Sequence, residues 1–202
     1  MPSFLSAAVL LLSLLTAGAG AAEAAGLLKK APCRVIAADF VQTRRLAELN
    51  MEVRITGSMV SELDGRLRWQ VDAPVRSVTV IDREKLTHCD GETKKLSVIR
   101  SETFPWLRIL RDSLDDWLSG DKARLTRRFQ VSTPRPRIVR LVPREGAQKK
   151  LFRSVELEFA EKGDFITLIR IGESSGDELE IRFSNLRRDP VLPRDIWRMP
   201  PQ

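Results

Sequence analysis

Four segments of this chain alternate apolar and polar residues with a period of two: Met51-Glu52-Val53-Arg54-Ile55, Leu67-Arg68-Trp69-Gln70-Val71, Val155-Glu156-Leu157-Glu158-Phe159 and Leu179-Glu180-Ile181-Arg182-Phe183. Successive side chains of a strand point to opposite sides, so such a segment is stable only with one side covered and the other wet. That pattern predicts antiparallel pairing rather than a parallel sheet buried on both faces. Turn chemistry falls between the runs, at Asp64-Gly65, Asp90-Gly91, Lys162-Gly163-Asp164 and Ser174-Ser175-Gly176-Asp177. Gly and Asp tolerate the left-handed backbone of tight hairpins, so the strands are expected to follow one another as a meander. Its apolar side must curl around something or pack against a second layer.

Helical periodicity is scarce. The clearest case is Phe104–Leu118, where Trp106, Leu107, Leu110, Leu114, Trp117 and Leu118 recur at helical spacing. Thr103 suits its cap, Pro105 its first turn and Gly120 its end. A shorter candidate, Ala22–Ala31, stops near Pro32. So few helices can cover one mouth of a curved sheet but not both of its faces. The fold class is mainly β with a small helical part (α+β).

The first residues differ from the rest. Phe4–Leu15 is an apolar run, Ala17-Gly18-Ala19-Gly20-Ala21 follows, and Ala22-Glu23-Ala24 reads as a small-x-small cleavage site. This is the pattern of a secretory signal peptide, expected at residues 1–24, with a single domain over 25–202. Two points stay open. Ala17-Gly18-Ala19 is an earlier site of the same kind, and Met1–Ser3 carry no Lys or Arg, so an uncleaved anchor reaching Ala25 is the competing reading. No later segment is apolar enough to span a bilayer, and Cys33 follows Lys30-Ala31-Pro32, which is not a lipid-attachment context. The mature chain is expected to be exported and soluble.

The formal net charge is +7. Export, and the even scatter of Arg and Lys among Asp and Glu, argue against nucleic acid as a partner. A solvated surface, or attraction to anionic lipid head groups or to an acidic partner, accounts for the charge. The chain has two cysteines, Cys33 and Cys89, and one histidine, His88. In an oxidising compartment the cysteines either form one disulfide or are both free, and a bridge is the expectation. Three such residues are too few for a protein-built metal site, and no cofactor motif is present. His88 and Cys89 are strand neighbours that point to opposite sides, so they form no catalytic dyad. The chain lacks Gly-x-Ser-x-Gly, His-Glu-x-x-His, a phosphate-binding glycine loop and Cys-x-x-Cys, and Asp115-Asp116 do not face each other on a helix. A binding module is favoured over an enzyme.

Asp39-Phe40-Val41-Gln42-Thr43 looks like the opening strand of the LolA family of periplasmic lipoprotein carriers, and Gly57-Ser58-Met59-Val60 like its Gly-led second strand. Leu67-Arg68-Trp69-Gln70-Val71-Asp72-Ala73-Pro74 resembles its aromatic-x-Trp strand, with Leu67 in place of the aromatic. Val78–Asp82 resembles the following strand, and Phe183-Ser184-Asn185 and Ile196-Trp197-Arg198-Met199-Pro200 fit its closing pattern. The resemblance implies a strongly curved antiparallel sheet, an incomplete β-barrel closed by a helical lid, whose apolar interior holds acyl chains. It implies carriage of lipid or lipoprotein acyl chains toward the outer membrane by a periplasmic monomer, received from an inner-membrane donor complex and passed to an outer-membrane acceptor, without catalysis or cofactor. The expected lipid-facing residues are Phe40, Val53, Ile55, Leu67, Trp69, Val78, Val80, Trp106, Leu110, Leu114, Trp117, Leu157, Phe159, Leu179 and Ile181. Any one of them taken singly is as well explained as ordinary core. The sequence departs from the family where an Arg-Pro pair precedes the Trp and the Arg ties the lid closed: Leu63 and Asp64 stand there.

Three functions remain in view. The first is a lipid carrier. The second is a related lipid-binding sensor, or a paralogue handling a glycolipid or other acyl product. The third, a cell-envelope enzyme, needs polar groups in the cavity, whereas the inner-face candidates are Val, Leu, Ile, Phe and Trp.

Overall fold

In a computed structural model, residues 33–62, 65–82, 84–100, 129–144, 147–161 and 165–200 are described. The expected leader, the short helix Ala22–Ala31 and the helix Phe104–Leu118, with Trp106, Leu110, Leu114 and Trp117, lie outside them, as do Leu63 and Asp64.

The alternation is realised as strands throughout. They are β1 (Val35–Leu46), β2 (Met51–Glu62), β3 (Leu67–Ala73), β4 (Ser77–Ile81), β5 (Lys85–Asp90) and β6 (Leu96–Arg100), then β7 (Phe129–Arg135), β8 (Ile138–Pro143), β9 (Phe152–Phe159), β10 (Ile166–Glu173) and β11 (Glu178–Arg188). A five-residue helix α1 (Ala147–Leu151) precedes β9. The strands form one antiparallel sheet in the order β6-β5-β4-β3-β2-β1-β11-β10-β9-β8-β7. Each half of that order is a meander of sequential neighbours, and the halves join where the last strand lies beside the first. Among the described residues β6 and β7 are its edges, and they do not pair to close it into a barrel.

Of the expected turns, Lys162-Gly163-Asp164 lies outside the described residues. Gly65 and Gly176 adopt φ of +89° and +98°, which costs glycine little, and each donates its N–H back to a glutamate carbonyl, Glu62 and Glu173, at 3.1 Å. Asp90 Oδ1 accepts from the N–H of Glu92 and of Thr93 and from the Thr93 hydroxyl at 3.0, 2.8 and 3.0 Å. These bonds hold the Asp90 carboxyl below its usual range, the Thr93 backbone bond being the largest cause.

The chain divides into two compact units. Among the described residues, one comprises residues 43–53 and 129–182, the other residues 33–42, 54–100 and 183–200. β1, β2 and β11 contribute to both.

In the first unit, residues paired directly across strands share a side of the sheet. Ile181, Ile169, Leu157 and Val139 form one row and Leu179, Ile171, Val155, Leu141 and Val131 the next. All but Val131 are buried. The opposite side carries Glu180, Arg170, Glu156 and Arg140 in register, an alternating charge row in which Arg170 Nε meets Glu180 at 2.9 Å.

In the second unit, Met59, Trp69, Thr79 and His88 form a row on one side, and Val60, Arg68, Val80 and Thr87 a row on the other. The C-terminal segment docks on the second side. Arg68 Nη1 donates to the carbonyls of Ile196 and Arg198 at 2.9 and 3.1 Å, and the Arg66 guanidinium lies 5.0 Å from the Trp197 ring centroid.

Candidate functional site

The second unit builds its apolar side around Phe40 of β1 and Trp69 of β3. Their rings stack with centroids 3.6 Å apart and planes 19° from parallel. Gly57 of β2 makes room for this: a Cβ there would lie 2.7 Å from Phe40 Cζ and would also strike the Gln70 carbonyl oxygen. Phe40, Gln42 and Arg44 alternate inward along β1, and all three are buried. Among the described residues of this unit two polar atoms are buried without a hydrogen-bond partner, Trp69 Nε1 and Gln42 Oε1. Natural cores pair nearly all such atoms, and leaving one unpaired costs about 1–3 kcal/mol.

Of the expected lipid-facing residues in this unit, Phe40, Leu67 and Trp69 are buried on β1 and β3, and the register puts Leu67 and Trp69 on one side of β3. Val78 and Val80 do not join them. They pair with Gln70 and Arg68 and so lie on the other side of the sheet, where they are buried. Grouping them with Trp69 is corrected by register: alternation within β4 is satisfied either way, and only the pairing with β3 decides. On the Trp69 side, β4 instead presents Thr79, whose Oγ1 lies 2.9 Å from His88 Nδ1. Burial holds the His88 imidazole below its usual pKa, with Asp90 opposing. Ile55 is half-buried.

In the first unit Leu157, Phe159, Leu179 and Ile181 are buried. Met51, at the start of β2, is 53% exposed and Val53 half-buried. The first half of β2 is therefore not the core face that its alternation predicts. The core contributions of this strand come later, from Gly57, Met59 and Ser61, beyond a register shift between Thr56 and Gly57.

A charged cluster sits beside these apolar rows. Arg44 Nη2 meets Glu173 Oε2 at 2.9 Å and Asp177 Oδ2 at 3.0 Å, with all three side chains largely buried. Asp177 Oδ1 accepts the Ala47 N–H at 3.0 Å, tying the β10–β11 turn to the β1–β2 turn. Glu173 Oε1 is buried without a hydrogen-bond partner. Burial pushes the Glu173 carboxyl above its usual pKa, and this outweighs the opposing pull of Arg44; Asp177 adds to the rise. The inward alternation of Phe40, Gln42 and Arg44 was the available signal for this cluster and for Gln42, but polar residues in a strand read by default as its wet side.

Cys33 and Cys89 are free thiols, and the bridge expected between them is not formed. β5, which carries Cys89, is four strand spacings of about 4.8 Å from β1, whereas a bridge needs Cα atoms within about 7 Å. Among the described residues no three His, Cys, Asp or Glu side chains are placed to hold a metal ion, and no helix is long and apolar enough to cross a membrane.

The family described as Outer membrane lipoprotein carrier protein LolA matches residues 32–199. An outer-membrane lipoprotein carrier protein of Legionella pneumophila (strain Corby) is 26% identical over 156 residues, covering 75% of this chain and 73% of that protein. The protein of the same description from Pseudomonas entomophila (strain L48) is 27% identical over 168 residues, covering 77% and 75%. An uncharacterized conserved protein from Thermus thermophilus superposes with a TM-score of 0.51 at 11% identity, covering 83% of this chain and 86% of that one, a likeness of fold alone.

Proposed function

Because the chain belongs to the LolA family of outer membrane lipoprotein carriers, we propose that it is a periplasmic carrier that shields lipid or lipoprotein acyl chains against the apolar side of its sheet. It works by binding and release, without catalysis or cofactor, as a monomer whose leader has been removed. It accepts cargo from an inner-membrane donor and yields it to an outer-membrane acceptor.

The observation that supports this beyond family membership is the pair of orphaned polar atoms buried in the second unit, Trp69 Nε1 and Gln42 Oε1. A core that only stabilises the fold has no reason to keep them. A site for a chain ending in an ester or amide does, because such a group both accepts from an indole N–H and, as an amide, donates to a carboxamide oxygen. The hydrocarbon part contributes about 0.8 kcal/mol per buried CH₂. Leu63-Asp64, standing where the family has its Arg-Pro pair, favours a cargo other than the usual lipoprotein, such as a glycolipid or another acyl product.

Native mass spectrometry of protein purified from the periplasm tests the reading, since a co-purifying lipid is expected and its mass identifies the cargo. A fluorescent fatty-acyl probe should bind the parent, and Trp69→Glu should weaken that binding while circular dichroism stays that of a β protein. A parent that neither carries lipid nor binds the probe would show that the apolar rows are ordinary core.

A further inference from the structure

A groove of about 730 Å³ runs over the polar side of the first unit, lined by Arg153, Ser154 and Gly172 among others. The side chains of Arg153 and Ser154 both lie on the Cβ side of Gly172, whereas neighbours in a regular strand point to opposite sides, so this placement requires an irregularity. The register supplies it: Gly172 pairs with Ser154, but Glu173 pairs with Phe152, which leaves Arg153 as an extra residue in β9. Such a β-bulge re-aims a side chain, and here it brings Arg153 to the groove beside Ser154.

The Arg153 head group is anchored, because its Nε donates to the Glu173 carbonyl at 3.0 Å. Its two Nη groups have no partner among the described residues, and neither has the Ser154 hydroxyl. Both converge on Gly172, where a Cβ would sit 3.5 Å from Arg153 Nη2 and 3.6 Å from Ser154 Oγ. The missing side chain leaves that spot bare. The other arginines of the groove are already committed to carboxylates: Arg170 to Glu180 at 2.9 Å, Arg45 to Glu178 at 3.5 Å and Arg140 to Glu156 at 3.6 Å.

We propose that Arg153 and Ser154, above Gly172, form a subsite for a phosphate group. A guanidinium held by Nε offers two parallel N–H donors to an oxyanion. A tetrahedral phosphate has a further oxygen for a hydroxyl approaching from another direction. Glu178, 62% exposed in the same groove, meets Arg45 through Oε2 and leaves Oε1 open, which favours a phosphate that carries an ammonium nearby, as in a phosphoethanolamine head group. The subsite lies on the side of the sheet opposite the apolar rows and does not depend on acyl binding.

Phosphorus NMR titration of the full chain at low salt tests it, with inorganic phosphate and sn-glycero-3-phosphoethanolamine as separate probes. Saturable binding is expected, tighter for the diester; binding of the inorganic ion alone would assign the subsite to free phosphate. Arg153→Gln should weaken binding about tenfold. Gly172→Ala should do the same by filling the spot, since its Cβ falls at ordinary contact distance. Arg135→Gln, on an exposed part of β7, should leave binding unchanged. The proposal is overturned if neither probe saturates, if Arg153→Gln and Gly172→Ala bind as the parent does, or if Arg135→Gln weakens binding equally, which would reduce the effect to general basic charge.

Discussion

The Phe40 and Trp69 rings, on β1 and β3, stack at 3.6 Å across the surface of the strand between them. They do so over Gly57, whose hydrogen leaves the space that any Cβ would take from Phe40 Cζ and the Gln70 carbonyl. Gly57→Ala should therefore destabilise the protein although alanine suits a strand no worse than glycine. The neighbour on one side is backbone, which cannot yield as a side-chain end can. A loss of about 1–3 kcal/mol is expected, in the range for overpacked cores. Urea denaturation followed by tryptophan fluorescence measures it, and a midpoint equal to the parent's would show that the strands relax freely there.

Arg44 and Glu173 should respond unequally to mutation. Removing Arg44 leaves Glu173 and Asp177 buried together, so Arg44→Met is expected to cost about 3–5 kcal/mol, as for breaking other buried pairs. Glu173→Gln removes one of two carboxylates that share Arg44, one already penalised by burial, and should cost much less. Because the folded carboxyl is raised above 4.5, the folded state holds this proton more tightly than the unfolded one. Its contribution to stability is then full below pH 4.5 and is lost as pH rises through the folded pKa. Glu173→Gln should flatten that part of the stability–pH curve.

His88 acts at higher pH and in the opposite sense. Burial lowers its pKa below 6.5, so the unfolded chain takes up the proton first. Stability from this residue is full above pH 6.5 and declines as pH falls toward the folded pKa. Urea midpoints between about pH 7.5 and 5.5 should fall for the parent and fall less for His88→Gln. Equal slopes would remove the imidazole from the account.

The thiols should differ in access. Unfolded, unreduced protein is expected to label at two cysteines. In the folded protein the half-buried Cys33 should react before Cys89, which is 2% exposed on β5. Intact mass after timed alkylation reads both, and a species two mass units lighter that resists labelling would establish a bridge.

What the sequence determined by itself is local. Period-two alternation placed strands around Leu67–Val71, Val155–Phe159 and Leu179–Phe183, and Gly–Asp chemistry placed turns at Asp90-Gly91 and Ser174–Asp177, because both signals depend on a few adjacent residues. The buried set Leu67, Trp69, Leu157, Phe159, Leu179 and Ile181 was legible for the same reason, and Phe40 only through the family resemblance. What only the tertiary structure decided is pairing. Val78 and Val80 alternate correctly, yet lie opposite the Trp69 side because hydrogen bonding to β3 sets their register. Arg44 reads as a surface residue until Glu173 and Asp177, 129 and 133 positions away, close around it. Arg153 and Ser154 share a groove only because a register shift against β10 inserts an extra residue. Alternation tells a strand that it has two sides; the neighbouring strand tells it which side is which.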